Sequence, residues 1–283
     1  MAATAFQTQY RDETIAVFEA QTALLRDAVT TEVEIKGNTA TFLVAGSGGA
    51  SAVTRGVNGL IPARNDDLTQ TSATLAEWHD KVRKTGFNIF ASQGNQRAVM
   101  QRTTSAVINR KIDNDILTIL NTGTQDTGAT QTASLAMALR AKVILGNAGV
   151  PNDGNIWAAV SPGFMGYLLQ APEFSSADYV TRKPMDSGDA DWMDKTGYYE
   201  WNKVKWMEHV NLPGAGTSAE KCFMWHKNAV GHAINTGGIM TDVGYNGEDD
   251  YSYARATVFM GTALLQNTGV VVMNHDSSAW AAE

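Results

Sequence analysis

One cysteine, Cys222, stands in the whole chain, so no internal disulfide and no thiolate metal cluster can form. Flanked by Lys221 and Phe223, it reads as a small buried apolar residue rather than a nucleophile. No basic stretch followed by an apolar run opens the sequence, so no signal peptide is read. No apolar run reaches the ~20 residues needed to cross a bilayer. No N-x-[ST] glycosylation site occurs, and the chain is read as intracellular at synthesis. Excess positive charge is also missing: the formal net charge is −7. That argues against a protein that grips nucleic acid by neutralising phosphates over a broad surface.

Recognisable chemistry is equally scarce. Gly46, Gly48 and Gly49 suggest a phosphate loop, but the Lys-Ser or Lys-Thr ending is absent and no amphipathic helix follows. A flexible loop tip is the better reading. Of His79, His209, His226, His232 and His275, only His226 and His232 are close in sequence, and no third metal ligand lies near them. Asp186, Asp189, Asp191 and Asp194 break the spacing of a calcium loop, and no Glu closes it. They read as a solvated acidic loop, and Glu248, Asp249 and Asp250 as an exposed turn. Neither G-x-S-x-G nor H-E-x-x-H is present. The chain is therefore read as no enzyme, with no catalytic, cofactor or metal residues.

What is present begins with residues 96–121. This stretch has no Pro and no Gly. Met100, Thr104, Ile108, Ile112, Ile116, Ile119 and Leu120 recur at helical steps, and Arg102, Ser105, Asn109 and Asp113 draw a separate polar stripe. At about 1.5 Å per residue the helix is roughly 39 Å long, with Asn121 and Gly123 as C-cap residues. Arg97, Arg102, Arg110 and Lys111 bias it towards positive charge. They form either a solvated face or inter-subunit salt bridges.

In chain order, residues 5–30 read as an N-terminal helix, with Tyr10, Ile15, Phe18, Leu25 and Val29 as its apolar set. It can pack on its own domain or on a neighbouring subunit. From Thr31 the period becomes two, with strands around 32–36, 39–44 and 69–78. Between the last two lies a Gly/Ser/Asn-rich tip, residues 45–67. A tip this long inside a compact domain is unusual; it reads as a projection that becomes ordered on another chain. A second helix is expected over about 133–145 and a strand at 156–160. Next comes a helix at 164–170 with Ser161 as N-cap and Pro162 at N1. Residues 171–197 read as irregular, and 198–210 as one aromatic strand. A strand at 222–225 and a short helix or turn at 226–234 follow. Strands at 251–265 and 269–274 come last, ahead of a tail. No internal repeat is seen. With 43% apolar residues and seven tryptophans, a sizeable core can be buried.

The order of these features is similar to that of tailed-bacteriophage major capsid proteins, which share the α+β Hong Kong 97 fold. VEIKGNTATFLVAGSGGASAVTRG resembles the family's extended loop. FASQGNQRAVMQRTTSAVINRKIDNDILTIL resembles its spine helix, and IWAAVSPGFMGYLL its strand, Ser-Pro, helix unit. The resemblance implies an N-arm at 1–30 and an extended loop at 31–80. It implies a peripheral domain at 81–150 and 245–283, and an axial domain at 151–244. Its implied function is an icosahedral shell around double-stranded DNA, located in the virion after synthesis in a bacterial cytoplasm. The implied partners are many copies of the chain as hexamers and pentamers, a portal protein and packaged DNA bound without sequence specificity. A decoration or cement protein has room outside, and no membrane is involved. The chain starts close to the N-arm, with Met1, so a separate scaffolding protein is expected. No lysine lies between Gly37 and Glu77, so the family's covalent cross-linking is not carried over. Tyr10, Phe18, Gly48, Arg55, Asn58, Arg64, Arg97 and Arg102 are the expected subunit-interface residues. An encapsulin-like compartment shell is the alternative, and an α/β enzyme with a Gly-rich lid a third reading.

Overall fold

The computed structural model describes residues 23–31, 34–47, 49–63, 67–91, 96–175, 180–182, 198–235 and 237–280. Its organising element is the predicted long helix. Before it come strands β1 (Glu34–Lys36), β2 (Thr39–Gly46), β3 (Asp67–Thr74) and β4 (Ala76–Thr85), and a short helix α1 (Gly86–Ala91). Helix α2 (Gln96–Leu120) then buries Met100, Thr104, Ile108, Ile112, Ile116 and Leu120, one residue per turn, as the apolar spacing dictates. It ends by tightening its last turn: the N–H groups of Thr122 and Gly123 bond back to the carbonyls of Ile119 and Leu120 at 3.0 and 3.1 Å.

Helix α2 lies against a four-stranded antiparallel sheet. The sheet's axis is β13 (Tyr251–Leu264), with β4 along one edge. Two strands share the other edge in succession, β12 (Met240–Asn246) and β11 (Val230–Ile234). On β13, Ala254, Ala256, Val258 and Met260 are buried while Arg255 is exposed, so the strand alternates as a half-covered sheet should.

The remaining elements are β5 (Gln125–Asp126), α3 (Leu135–Asn147), β6 (Ile156–Val160), α4 (Pro162–Leu169), α5 (Pro172–Ser175) and β7 (Val180–Arg182). They are followed by β8 (Tyr199–Trp201), β9 (Val204–Glu208), β10 (Glu220–His226) and β14 (Val270–His275). A seven-stranded sheet runs β5-β14-β10-β6-β9-β8-β7. Every residue of β6 is buried. That is expected of a continuous apolar run in mid-sheet with both faces covered. Ser161 caps α4 as anticipated, accepting from the Phe164 N–H at 3.1 Å, with Pro162 in the first turn.

Several local expectations needed correction. The described end of the expected N-terminal helix is a single 3-10 turn, Arg26–Ala28, and Thr30 bridges to Gly231 of β11. Leu25, Ala28 and Val29 are buried at helix-like spacing, but their neighbours' backbone groups bond to other parts of the chain. The expected strand 69–78 bends at Leu75, whose N–H is taken by the Asn38 carbonyl at 2.7 Å. The strand expected over 198–210 is split into β8 and β9 by Asn202 and Lys203, whose φ values of 52° and 58° make a two-residue hairpin turn. Residues 230–234 are a strand rather than a helix or turn, and β12 was not anticipated. The supposed tail begins with His275 and Ser277, both buried.

The division at 244/245 falls inside β12. Strand β11 joins the sheet on α2, and β14 joins the seven-stranded sheet beside β10. Strand β4 continues past the expected loop boundary at 80. The acidic loop with Asp186, Asp189, Asp191 and Asp194 lies outside the described residues.

Candidate assembly surface

The β2–β3 hairpin is paired antiparallel from Thr39↔Thr74 to Gly46↔Asp67. Its base is packed and the rest is not. Ala40, Phe42 and Ala73 form a small core with Ala233 of β11 and Ala263 of β13, flanked by Ile35, Leu75 and Leu265. One step further out, Leu43 is 70% exposed, and Leu68, opposite Ala45, is also exposed. The tip continues this pattern, with Val53, Val57, Leu60 and Ile61 all exposed. Main-chain bonds within it run from Ala50 N–H to Ser47 at 3.0 Å, from Gly56 N–H to the Leu60 carbonyl at 3.0 Å and from Gly59 N–H to Gly56 at 2.9 Å. Clustered exposed aliphatic side chains on a projecting arm mark a surface that other protein covers.

At the root of the hairpin a glycine lets chains approach closely. A Cβ on Gly261 would lie 2.6 Å from the Thr74 carbonyl oxygen, where β3 passes into β4 across β13. Beyond that corner, Trp78 of β4 carries the Lys111 ammonium of α2 3.7 Å from its ring centroid, and Lys111 also pairs with Asp115 at 2.6 Å. Strand β4, which leads out of the hairpin, is thereby tied to the long helix by a cation over an aromatic face.

Of the expected interface residues, Arg55 and Asn58 sit together in the exposed tip around the Gly56–Leu60 bond. Arg102 is exposed on α2, a separate element, and Arg97 lies in the first turn of the same helix. Tyr10, Phe18, Gly48 and Arg64 lie outside the described residues. Sequence reasoning omitted the aliphatic residues of the arm. The available signal was the run Phe42, Leu43, Val44, which breaks strand alternation, together with Leu60 and Ile61 in a glycine-rich tip.

The described residues also hold two buried polar clusters. In the first, Asp113 of α2, 2% exposed, accepts from the N–H groups of Leu25 at 3.0 Å and Leu24 at 3.2 Å. His209 Nε2 lies 3.5 Å from the same carboxylate. His232 stands nearby, with Nδ1 on Thr262 Oγ1 at 3.0 Å. Burial chiefly, with Arg26 adding to it against the pull of Asp113, pushes its imidazole down to about 4. In the second cluster, Glu220 is buried and accepts from Gly216 N–H at 3.0 Å and Ser277 Oγ at 2.5 Å, with Ser161 as a further donor. Burial pushes the carboxyl up, but these donors and nearby His275 outweigh it and hold the group below its ordinary value. Burial also pushes the Cys222 thiol well up, so the cysteine is a core residue. Among the described residues, no group of three or more His, Cys, Asp or Glu is placed to hold a metal ion. No described helix is long and apolar enough to cross a membrane.

The arm, long helix and two sheets define a shell-forming class of fold. Residues 2–277 match the model of the phage capsid protein family, and the chain belongs to that family. Solved structures agree on the fold. A chain from Mycobacterium phage Che8 is 18% identical, with a TM-score of 0.70 over 94% of this chain and 95% of that one. The capsid of Ralstonia phage GP4 is 12% identical, with a TM-score of 0.67 over 97% and 95%. The capsid of a native GTA particle is 12% identical, with a TM-score of 0.66 over 98% and 99%. No curated protein sequence matches the chain. The protein is a phage capsid protein of the virion, and the family match favours this over an encapsulin-like compartment.

Proposed function

We propose that this subunit closes an icosahedral shell by seating its N-arm and its β2–β3 projection on neighbouring copies, in hexamers and pentamers. The observation that carries the reading is the band of aliphatic side chains on the projection, from Leu43 to Leu68, which the described part of its own chain leaves exposed. Repeated contacts between different patches of identical subunits close into a cage when the geometry permits. Ordering a flexible arm costs about 1–2 kcal/mol per residue in backbone entropy, which burial against a neighbour must offset.

In this reading residues 1–30 are the arm and 31–80 the extended loop. Residues 81–150 and 245–283 form the body around α2, and 151–244 form the axial part, with β11 and β14 crossing between the two sheets. The net charge of −7 suits an interior that holds packed double-stranded DNA without gripping it. A separate scaffolding protein and a portal complete the assembly, and a decoration protein has access to the outside. The subunit needs no catalytic group for this role. Deleting residues 47–66 tests the reading: folded subunits that no longer form particles by size-exclusion chromatography and negative-stain microscopy support it. Normal particles from the deletion overturn it.

A further inference from the structure

We propose that Asp113 is the positioning residue of the N-terminal arm, holding the arm's root and the end of β9 on one carboxylate so that the two are set together. The arm's root, residues 23–31, is attached in two places. Downstream, Trp225 Nε1 donates to the Ala28 carbonyl at 2.8 Å, Thr30 N–H bonds to Val230 at 2.9 Å, and His232 N–H bonds to Thr30 at 2.9 Å. Upstream, where residues 1–22 join, the attachment is Asp113, through the N–H groups of Leu24 and Leu25.

These two N–H groups open the 3-10 turn Arg26–Ala28, which has no side-chain cap of its own at Leu25. A carboxylate from another element therefore takes the N–H of the N-cap residue, as the acid of a capping box does within a helix. It is buried, and charge-assisted bonds of this kind are about twice as strong as neutral ones. Leu25 itself is fully buried, so the turn cannot swing without withdrawing a core side chain.

The second half of the link is His209, just past β9. Its Nδ1 accepts from the Asn211 N–H at 3.2 Å, which leaves the proton on Nε2, directed at Asp113. His209 is 5% exposed; its ring lies against Asp113 and Asn211, and its N–H bonds to the Val160 carbonyl at 2.9 Å. A shift of β9 relative to α2 would reach the arm through the shared carboxylate. A buried carboxylate that loses the imidazole 3.5 Å away is itself held less firmly, and so holds its two N–H donors less rigidly.

The test is limited trypsin digestion of the full-length, unassembled chain. Arg26 lies inside the turn and is a tryptic site, and Arg140, exposed on α3, reports opening elsewhere. Cleavage after each is followed by mass spectrometry in wild type, D113N, H209F and H209Q. When reclosing is fast, cleavage tracks the open population, and losing a hydrogen bond to a charged group should raise it on the order of 10-fold. D113N should speed cleavage after Arg26 by that factor relative to Arg140, and H209F, which removes the 3.5 Å ion-pair contact, should speed it in the same direction by a smaller factor. H209Q, whose side-chain amide can still donate to Asp113, should return towards wild type. The double variant D113N/H209F should exceed D113N little, because the two act through one link.

An unchanged Arg26 rate in H209F, or a parallel rise at both sites, overturns the proposal. The H209F and H209Q pair decides it even if D113N fails to fold. The inference draws its importance from the proposed role of the arm, and particle formation by H209F separates the two. A labile Arg26 with normal particles would leave the link standing and remove the arm from assembly.

Discussion

The ring of Phe42 lies in the space that a side chain at residue 231 would need. A Cβ placed on Gly231 would sit 2.6 Å from Phe42 Cε1 and 2.7 Å from Cζ. This contact seats the base of the projecting hairpin on β11, and outward from it the large apolar residues Leu43, Val53, Val57, Leu60, Ile61 and Leu68 are exposed among the described residues. Replacing Gly231 with alanine should displace the ring and cost about 1–3 kcal/mol, as overpacking a core generally does. Urea unfolding would measure the loss, and F42A in the same background should relieve part of it. If G231A is as stable as wild type, the hairpin base is not held by this contact.

The tip should behave in the opposite way. Val57 and Ile61 are exposed, so V57D and I61D should change subunit stability by no more than ~0.5 kcal/mol. Their particle yield should fall sharply, because a charge would be buried in a contact between copies. Thermal unfolding and negative-stain counts on the same preparations distinguish the two effects.

Acid should loosen the region around His232. The fold accommodates the neutral imidazole, whose pKa is pushed down to about 4 by burial. Its contribution is complete above the ordinary value near 6.5 and is lost as the pH falls from there towards 4. His275 shifts in the same direction for the same first reason, burial. At 1.36 kcal/mol per unit, His232 alone contributes on the order of 3 kcal/mol across that interval. Urea midpoints at pH 7 and pH 5 should differ, and H232Q should flatten the difference. A midpoint independent of pH in wild type would contradict the placement of this histidine.

Glu220 gathers the chain's end onto β10. Its carboxylate faces donors only, so E220Q would turn an amide N–H₂ towards Ser277, Ser161 or Gly216 N–H. We expect a cost of about 1–3 kcal/mol, the penalty of an unsatisfied buried group. Amide exchange in residues 275–278 should quicken selectively. S161A should reproduce part of this, since that hydroxyl both caps α4 and donates to Glu220.

The long helix was legible from the first reading because its signal is local: no Gly or Pro, and a buried residue at every fourth position from Met100 to Leu120. The strand at 156–160 and the Ser161 cap were legible for the same reason. The turn at Arg26–Ala28 was not. Leu25, Ala28 and Val29 carry a helical spacing, but Asp113 and β11 claim the local backbone groups, and partners 88 or more residues away leave no local trace. No element was read over residues 240–246, and Gly and Asn, which occupy 244 and 246, are depleted in strands. In the structure Gly244 leaves room for the Tyr253 ring, which lies so close that a Cβ there would be 2.7 Å from its hydroxyl oxygen.

The sequence by itself determined the class of protein: the length of the helix, the alternation in the arms and the glycine-rich tip. Only the tertiary structure decided what Asp113 does. In sequence it is one more polar residue on a helix face, next in line after Arg102, Ser105 and Asn109. Its role depends on two unpaired N–H groups and a histidine brought to it from distant parts of the chain. The same holds for the hairpin, whose apolar residues are ordinary strand residues until the fold covers Phe42 and leaves Leu43 exposed.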